Sequence, residues 1–261
     1  MKLTSGIYLF VCGVIAIGMS GCSGDLAGGT GVGNPTTEIA LSMQTVDGNT
    51  LTSALSKQLV STTGSPQNQK PHIDIHDNSG NEFQVTSAWI TVAKVKFFSD
   101  TEETPWVDGP FTFDAITGES EPSLVSIDIP SGTYSGIRLL VTKIGNNSVD
   151  GTAIDVSGTF DYLGETRSFT ISLTSNLSID YTLETSTLEL IPDAKMNLTI
   201  TLHADEWLAG TSITNCLDSG GIILENDGSL IIDDSISTGS CRSIGKNIRH
   251  NILGSGKIAL F

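Results

Sequence analysis

At 261 residues, 38% hydrophobic and 16% charged, with 28 glycines and 8 prolines, the chain is long enough for one large β domain or two small ones. Its 29 acidic residues against 13 Lys+Arg give a formal charge of −16. That balance argues against a nucleic-acid partner, which requires a basic footprint, and suits a self-repelling, soluble surface.

The first 22 residues read MKLTSGIYLFVCGVIAIGMSGC. Lys2 is a minimal basic n-region. Ile7 to Ile17 form an apolar h-region too short and glycine-interrupted for a secure membrane span. The stretch GMSGC resembles a bacterial lipobox, with Ser20 and Gly21 before Cys22 and Met19 where leucine is usual. The resemblance implies a signal peptide over 1–22, cleavage before Cys22, and palmitate-type acylation of that cysteine. One chain holds a protein to a bilayer marginally, whereas two or three hold firmly at roughly 0.8 kcal/mol per buried CH₂. Ser23 in place of an aspartate implies sorting to the outer membrane of the cell envelope, on a face left open. The expected partner at this end is the membrane itself.

Cys12 leaves with the signal and Cys22 carries lipid, so Cys216 and Cys241 remain, an even pair in an oxidising compartment. A disulfide between them closes a loop of about 25 residues and contributes roughly 3.5 kcal/mol on the chain-entropy estimate. Two unrelated buried thiols are the alternative, less expected in an exported protein. No CxxC pattern points to zinc or redox chemistry.

Residues 23–36, SGDLAGGTGVGNPT, carry five glycines and no aromatic residue. They read as a tether with a reach of about 20 Å. TEIALSMQTV then reads as a strand, and LTSALSKQL as an early helix through the spacing of Leu51, Ala54, Leu55, Gln58 and Leu59. From residue 72 the period is two almost everywhere. The apolar faces are Val125, Ile127, Ile129; Ile137, Leu139, Val141; Phe169, Ile171, Leu173; Leu177, Ile179, Tyr181; and Leu198, Ile200, Leu202. Ser, Thr and Asp fill the opposite faces. NEFQVTSAWITVAKVKFF is longer and apolar on both faces at its start, as a central strand is. The expected fold is an all-β antiparallel sandwich over 37–205. A C-terminal extension, 206–261, follows, closed by the disulfide, with NDG (226–228) as a hairpin tip and a short helix marked by Ile244, Ile248 and Ile252.

In FQVTSAWITVAKVKFF, PWVDGPFTFDAITG and SLVSIDIPSGTYSGIRLLV the chain resembles a family of uncharacterised bacterial lipoproteins. These carry a domain of unknown function with a prealbumin- or immunoglobulin-like sandwich. Trp106, Phe113–Asp114, Pro130, Gly132, Tyr134, Arg138 and Leu139 carry the pattern, over roughly residues 72–205. The resemblance implies that fold and an envelope setting, and brings no catalytic residues with it.

Chemistry is sparse. In PHIDIHDN, alternation along a strand puts His72, Asp74 and His76 on one face, a ligand set suited to Zn²⁺ or Cu²⁺. Against this, buried Ile73 and Ile75 demand a polar opposite face in any case. Asp74, Asp77, Asn78 and Glu82 around Gly80 offer calcium-type oxygens without EF-hand order, and Asp233–Asp234 stands similarly. No G-x-S-x-G is present and histidines number four, so an enzyme is not expected. Trp89, Trp106 and Trp207 are stacking candidates for a glycan; Trp106, beside Pro105, reads as the exposed one and Trp89 as core. The expected role is non-enzymatic, binding or structural. A glycan, a peptide or an envelope protein is the expected partner, and a metal the alternative ligand.

Overall fold

The computed structural model describes residues 35–46, 71–123, 125–143, 151–183, 187–236 and 239–260. The signal segment with Cys22, the tether through residue 34 and the helix expected over 51–59 lie outside the described residues. In chain order the strands begin with β1 (Thr36–Val46), β2 (Ile73–His76), β3 (Glu82–Phe98), β4 (Val107–Asp114) and β5 (Ser120–Glu121). β6 (Val125–Pro130), β7 (Gly132–Tyr134), β8 (Gly136–Val141), β9 (Ile154–Tyr162) and β10 (Glu165–Leu173) follow. The last are β11 (Leu177–Thr182), β12 (Leu188–Leu190), β13 (Lys195–His203), β14 (Leu230–Asp233) and β15 (Gly256–Leu260). Among the described residues two α-helices, α1 (Ile213–Asp218) and α2 (Ile244–Gly254), lie near the C-terminus.

The architecture is an all-β sandwich. One sheet has the order β15-β13-β1-β6, the other β11-β8-β3-β9-β10-β14, with β2 and β4 paired to β3, and β5 to β4. A small ladder joins β7 to β12. The alternation read from sequence holds in most strands. Val125, Ile127 and Ile129, Ile137, Leu139 and Val141, Phe169, Ile171 and Leu173, and Leu198, Ile200 and Leu202 all belong to one buried apolar cluster. In β11 only Tyr181 is buried. Most pairings are antiparallel, but β1 with β13 and β10 with β14 run parallel. A parallel pair needs a long connection, and here both pairs are separated by intervening strands, β10 and β14 by β11, β12, β13 and α1.

β3 is the central strand and its hydrophobic phase changes twice. Its inward residues are Phe83 and Val85, then Ala88, Ile90 and Val92, then Val95 and Phe97. The register against β9 shifts between Val85 and Ser87, and the registers against β4 and β8 shift between Val92 and Lys94. Against β9 the extra residue is Thr86 and against β8 it is Ala93, both on β3, whereas against β4 the extra residue lies on β4, where Gly109 and Pro110 face Ala93. A bulge of this kind moves the alternation by one and bends the strand. Seventeen residues thus keep one face inward while the strand serves β9 with one half and β8 with the other. Trp89 is half-buried rather than core, because the first bulge gives the inward positions to Ala88 and Ile90.

The last segment is woven into the sandwich. β14 extends the larger sheet beside β10, and β15 extends the smaller one beside β13. Cys216 and Cys241 form the disulfide, which ties α1 to the turn before α2. Ile244, Ile248 and Ile252 form the buried stripe of α2, as their spacing predicts, and Arg249 is buried with them. The NDG stretch is a turn, closed by the Gly228 N–H on the Glu225 carbonyl. It is not a hairpin tip, since β14 pairs with β10 and not with a neighbour across the turn. Trp207 follows β13 in a 3-10 turn and is buried.

Candidate functional site

Three consecutive ladders place a row of polar side chains across the larger sheet. Asp180 of β11 lies opposite Arg138 of β8, and Arg138 opposite Lys96 of β3. The β3–β4 register pairs Lys94 with Asp108 and Val95 with Val107. One more step sets Lys96 opposite Trp106. The Lys96 ammonium does lie over the Trp106 ring, 4.7 Å from its centre. Strands about 4.8 Å apart make this row roughly 14 Å long.

The row is tied together by ion pairs. Arg138 grips Asp180 with two bonds, Nε to Oδ1 at 2.5 Å and Nη2 to Oδ2 at 2.6 Å, and donates from Nη1 to Glu103 Oε1 at 3.1 Å. Lys96 donates to the other oxygen of Glu103. Glu103 is held over the row because its loop bridges back to Phe98. Arg138 holds the Asp180 carboxyl below the usual carboxylate range, and Lys96 does the same for Glu103. The Asp180 contact in turn pushes the Arg138 guanidinium further up. Asp180, Glu103 and Arg138 are therefore charged at neutral pH. A planar fork on a carboxylate also fixes orientation, which a lone ammonium does not.

Trp106 is the exposed aromatic among the described residues, with 37% of its surface accessible. Trp207 is buried and Trp89 half-buried, so the three tryptophans do not make a shared platform. The exposure of Trp106 was readable from Pro105 and the polar loop before it. Its neighbours were not, because nothing local in the sequence pairs residues 96, 106, 138 and 180.

The histidine stretch resolves into two separate pairs on an edge. Ile75 is buried while Asp74 and His76 are exposed, so this is the wet side of β2. His72 Nε2 lies 3.9 Å from Asp74 Oδ1, and His76 Nε2 lies 3.9 Å from Glu82 Oε2. His72 and His76 stand about 13 Å apart along an extended chain, too far to share one ion bound at about 2 Å. Among the described residues no three His, Cys, Asp or Glu side chains gather into a ligand set.

Of the calcium candidates, Asp77, Asp233 and Asp234 are held by bonds within the fold, while Asp74, Asn78 and Glu82 are exposed. Asp77 is buried, and its Oδ1 accepts the N–H groups of Ser79 at 2.9 Å and Asn81 at 3.1 Å. Its Oδ2 accepts the Thr214 N–H at 3.2 Å and hydroxyl at 3.0 Å. This carboxylate closes the β2–β3 turn and pins the start of α1 to it. Asp233 accepts from Ser235 within its own turn. Asp234 accepts the N–H groups of Thr174 and Ser175 and pairs with Arg249.

The motif residues behind the family resemblance are likewise structural. The Tyr134 hydroxyl donates to the Pro130 carbonyl four residues upstream at 2.8 Å, a tyrosine corner at the chain's passage between sheets. Asp114 is buried and accepts from the Ala88 and Ile116 N–H groups and the Thr117 hydroxyl. Trp106 and Arg138 are the two of the set that stand in the surface row.

No family model and no curated protein matches the chain. Among solved structures it is similar to MbnP from Methylosinus trichosporium, at a TM-score of 0.40 and 10% identity, over 68% of this chain and 79% of that one.

Proposed function

We propose that this is a non-enzymatic, lipid-anchored protein of the bacterial cell envelope, whose sandwich binds a surface glycan at the Trp106 end of the charged row. One observation carries the binding reading: the exposed aromatic of the described chain stands in register with the buried Lys96 and the more open Arg138 and Asp180, at the end of a row of fixed donors and acceptors. An indole face stacks on the C–H side of a sugar ring, and adjacent charged groups hydrogen-bond its hydroxyls. The carboxylates whose pKa is displaced, Glu38, Glu103, Asp180, Asp227 and Asp234, are all displaced downward. Permanently ionised acids suit binding and not proton donation, which supports a non-enzymatic role.

The anchor rests on Cys22 and the segment before it. Fractionation tests it: the Cys22→Ser chain is expected in the soluble fraction and the unaltered chain with the membrane. Binding is tested on the full chain with a panel of neutral and acidic oligosaccharides. The expected result is that Trp106→Ala weakens the best ligand by about tenfold or more, the equivalent of one stacked ring. Equal affinity of the variant for every saccharide bound would remove the glycan reading.

A further inference from the structure

We infer that a second site, for one small organic anion bearing a carboxylate or phosphate, lies in the cleft between α1 and the start of α2. The cleft holds about 290 Å³, and its walls include Ser212 and Asn215 from the α1 side and Arg242, Ile244 and Asn247 from the α2 side. The Cys216–Cys241 disulfide forms part of its lining and fixes the two walls to each other. Such a volume is at the lower end for ligand pockets and admits a ligand of monosaccharide size.

Charge identifies the ligand class. The chain carries 29 acids, yet none lines this cleft. Arg138, Arg167 and Arg249 are each paired with a carboxylate. Arg242 has no ion-pair partner among the described residues, and it opens a stretch, 242–260, that contains no acid. The amides of Asn215 and Asn247 make no side-chain hydrogen bond among the described residues. They stand as free donors on the two walls with a guanidinium beside them. The first turn of α2 adds to the field, since Ser243 at its N-cap makes no side-chain bond and leaves the positive end of the helix uncapped. A planar, two-oxygen anion matches the guanidinium fork, and the amides supply bonds to its remaining oxygens.

This site does not depend on the Trp106 reading, and calorimetry on the full chain in detergent separates them. The probes are inorganic phosphate, glucuronate, and glucose as the neutral match, each up to about 10 mM at low salt, a range that reaches millimolar affinities. The expected result is saturable binding of phosphate, glucuronate or both, weakening as salt rises, with no binding of glucose. Phosphate alone, or glucuronate alone, names which anion the site takes. Arg242→Ala is expected to weaken binding by about tenfold or more, as loss of a charge-assisted bond does, and Asn247→Asp to abolish it by placing a carboxylate in the cleft. Both positions are exposed, so an unchanged melting temperature verifies that the variants fold. Trp106→Ala is expected to leave this binding untouched. Glucose binding as well as glucuronate, an unaffected Arg242→Ala, or no heat from either anion overturns the inference.

Discussion

Asp234→Ala is expected to cost about 3 kcal/mol at neutral pH, the lower end of the range for removing one partner of a buried ion pair, because Arg249 is buried and Asp234 half-buried. Asp234 connects three elements that are remote in sequence. Its Oδ2 receives the N–H of Thr174 at 2.7 Å and of Ser175 at 2.8 Å, between β10 and β11. Its Oδ1 receives Arg249 Nη1 of α2 at 2.6 Å, and its own place follows β14. Arg249 is buried, and its Nε has no hydrogen-bond partner among the described residues. Without Asp234 the guanidinium keeps its burial and loses its counter-ion. The sign with pH follows from the direction of the shift. Burial alone pushes the Asp234 carboxyl up, but the Ser175 and Thr174 N–H groups and the Arg249 charge outweigh it and hold it below its ordinary value. A lowered folded pKa means the stabilisation is full above the unfolded value, about 3.9, and is lost as pH falls through the folded one. Urea denaturation of both chains should show the gap near its full size at pH 7 and shrinking below about pH 4. Arg249→Met, which keeps the two N–H bonds to Asp234, should lose less. A gap of constant size from pH 7 to pH 3 would refute the assignment.

The fold was legible where the period of two is uninterrupted. Ile137, Leu139 and Val141 face inward because each is two residues from the next, and the same holds for Phe169, Ile171 and Leu173. α2 announced itself through three isoleucines at intervals of four. β3 was legible as central, but not in phase. Its stretch looked apolar on both faces because two bulges shift the alternation, and a bulge carries no signal in a sequence of Val, Thr, Ala and Ile. The parallel pairings were hidden as well, since no turn links β1 to β13 or β10 to β14.

The candidate sites show the same limit. Local patterns pointed to His72, Asp74 and His76, which are neighbours in sequence and lie spread along an edge in space. The row of Trp106, Lys96, Arg138 and Asp180 joins four chain segments, so only strand register reveals it. Of that row the sequence exposed Trp106, by the proline before it, and placed Asp180 on a wet face opposite Tyr181. Asp77 read as a turn residue with calcium-type neighbours. Its real partner, Thr214, lies 137 positions away.

The phase of β3 also makes a single methyl group costly. Gly158→Ala on β9 is expected to destabilise the protein by about 3–5 kcal/mol, from overpacking against backbone and the loss of two ring contacts. Gly158 stands opposite Val85, where the register slips past Thr86. The bulge drives the Gln84 carbonyl towards β9, so that a Cβ on Gly158 would stand 1.9 Å from that oxygen. On the other flank Phe169 of β10 lies directly across from Gly158, its Cε1 3.0 Å from the same point. That ring covers the space a side chain would fill, and packs edge-on to Phe83 at 5.4 Å and to Phe160 at 6.3 Å. Phe83 and Phe160 are themselves stacked at 5.0 Å. An added methyl must therefore either push β3 and β9 apart, undoing the bulge that keeps Ala88 and Ile90 inward, or push Phe169 out of the three-ring cluster. Neither motion is small, because one neighbour is ladder backbone and the other is buried. Denaturant melts should show a lowered midpoint with an unchanged m value, and Ser157→Ala next to it, half-buried, should stay within about 0.5 kcal/mol. A Gly158→Ala chain within about 1 kcal/mol of the unaltered one would mean that β3 tolerates a different register there, and that the bulge is not what sets its inward face.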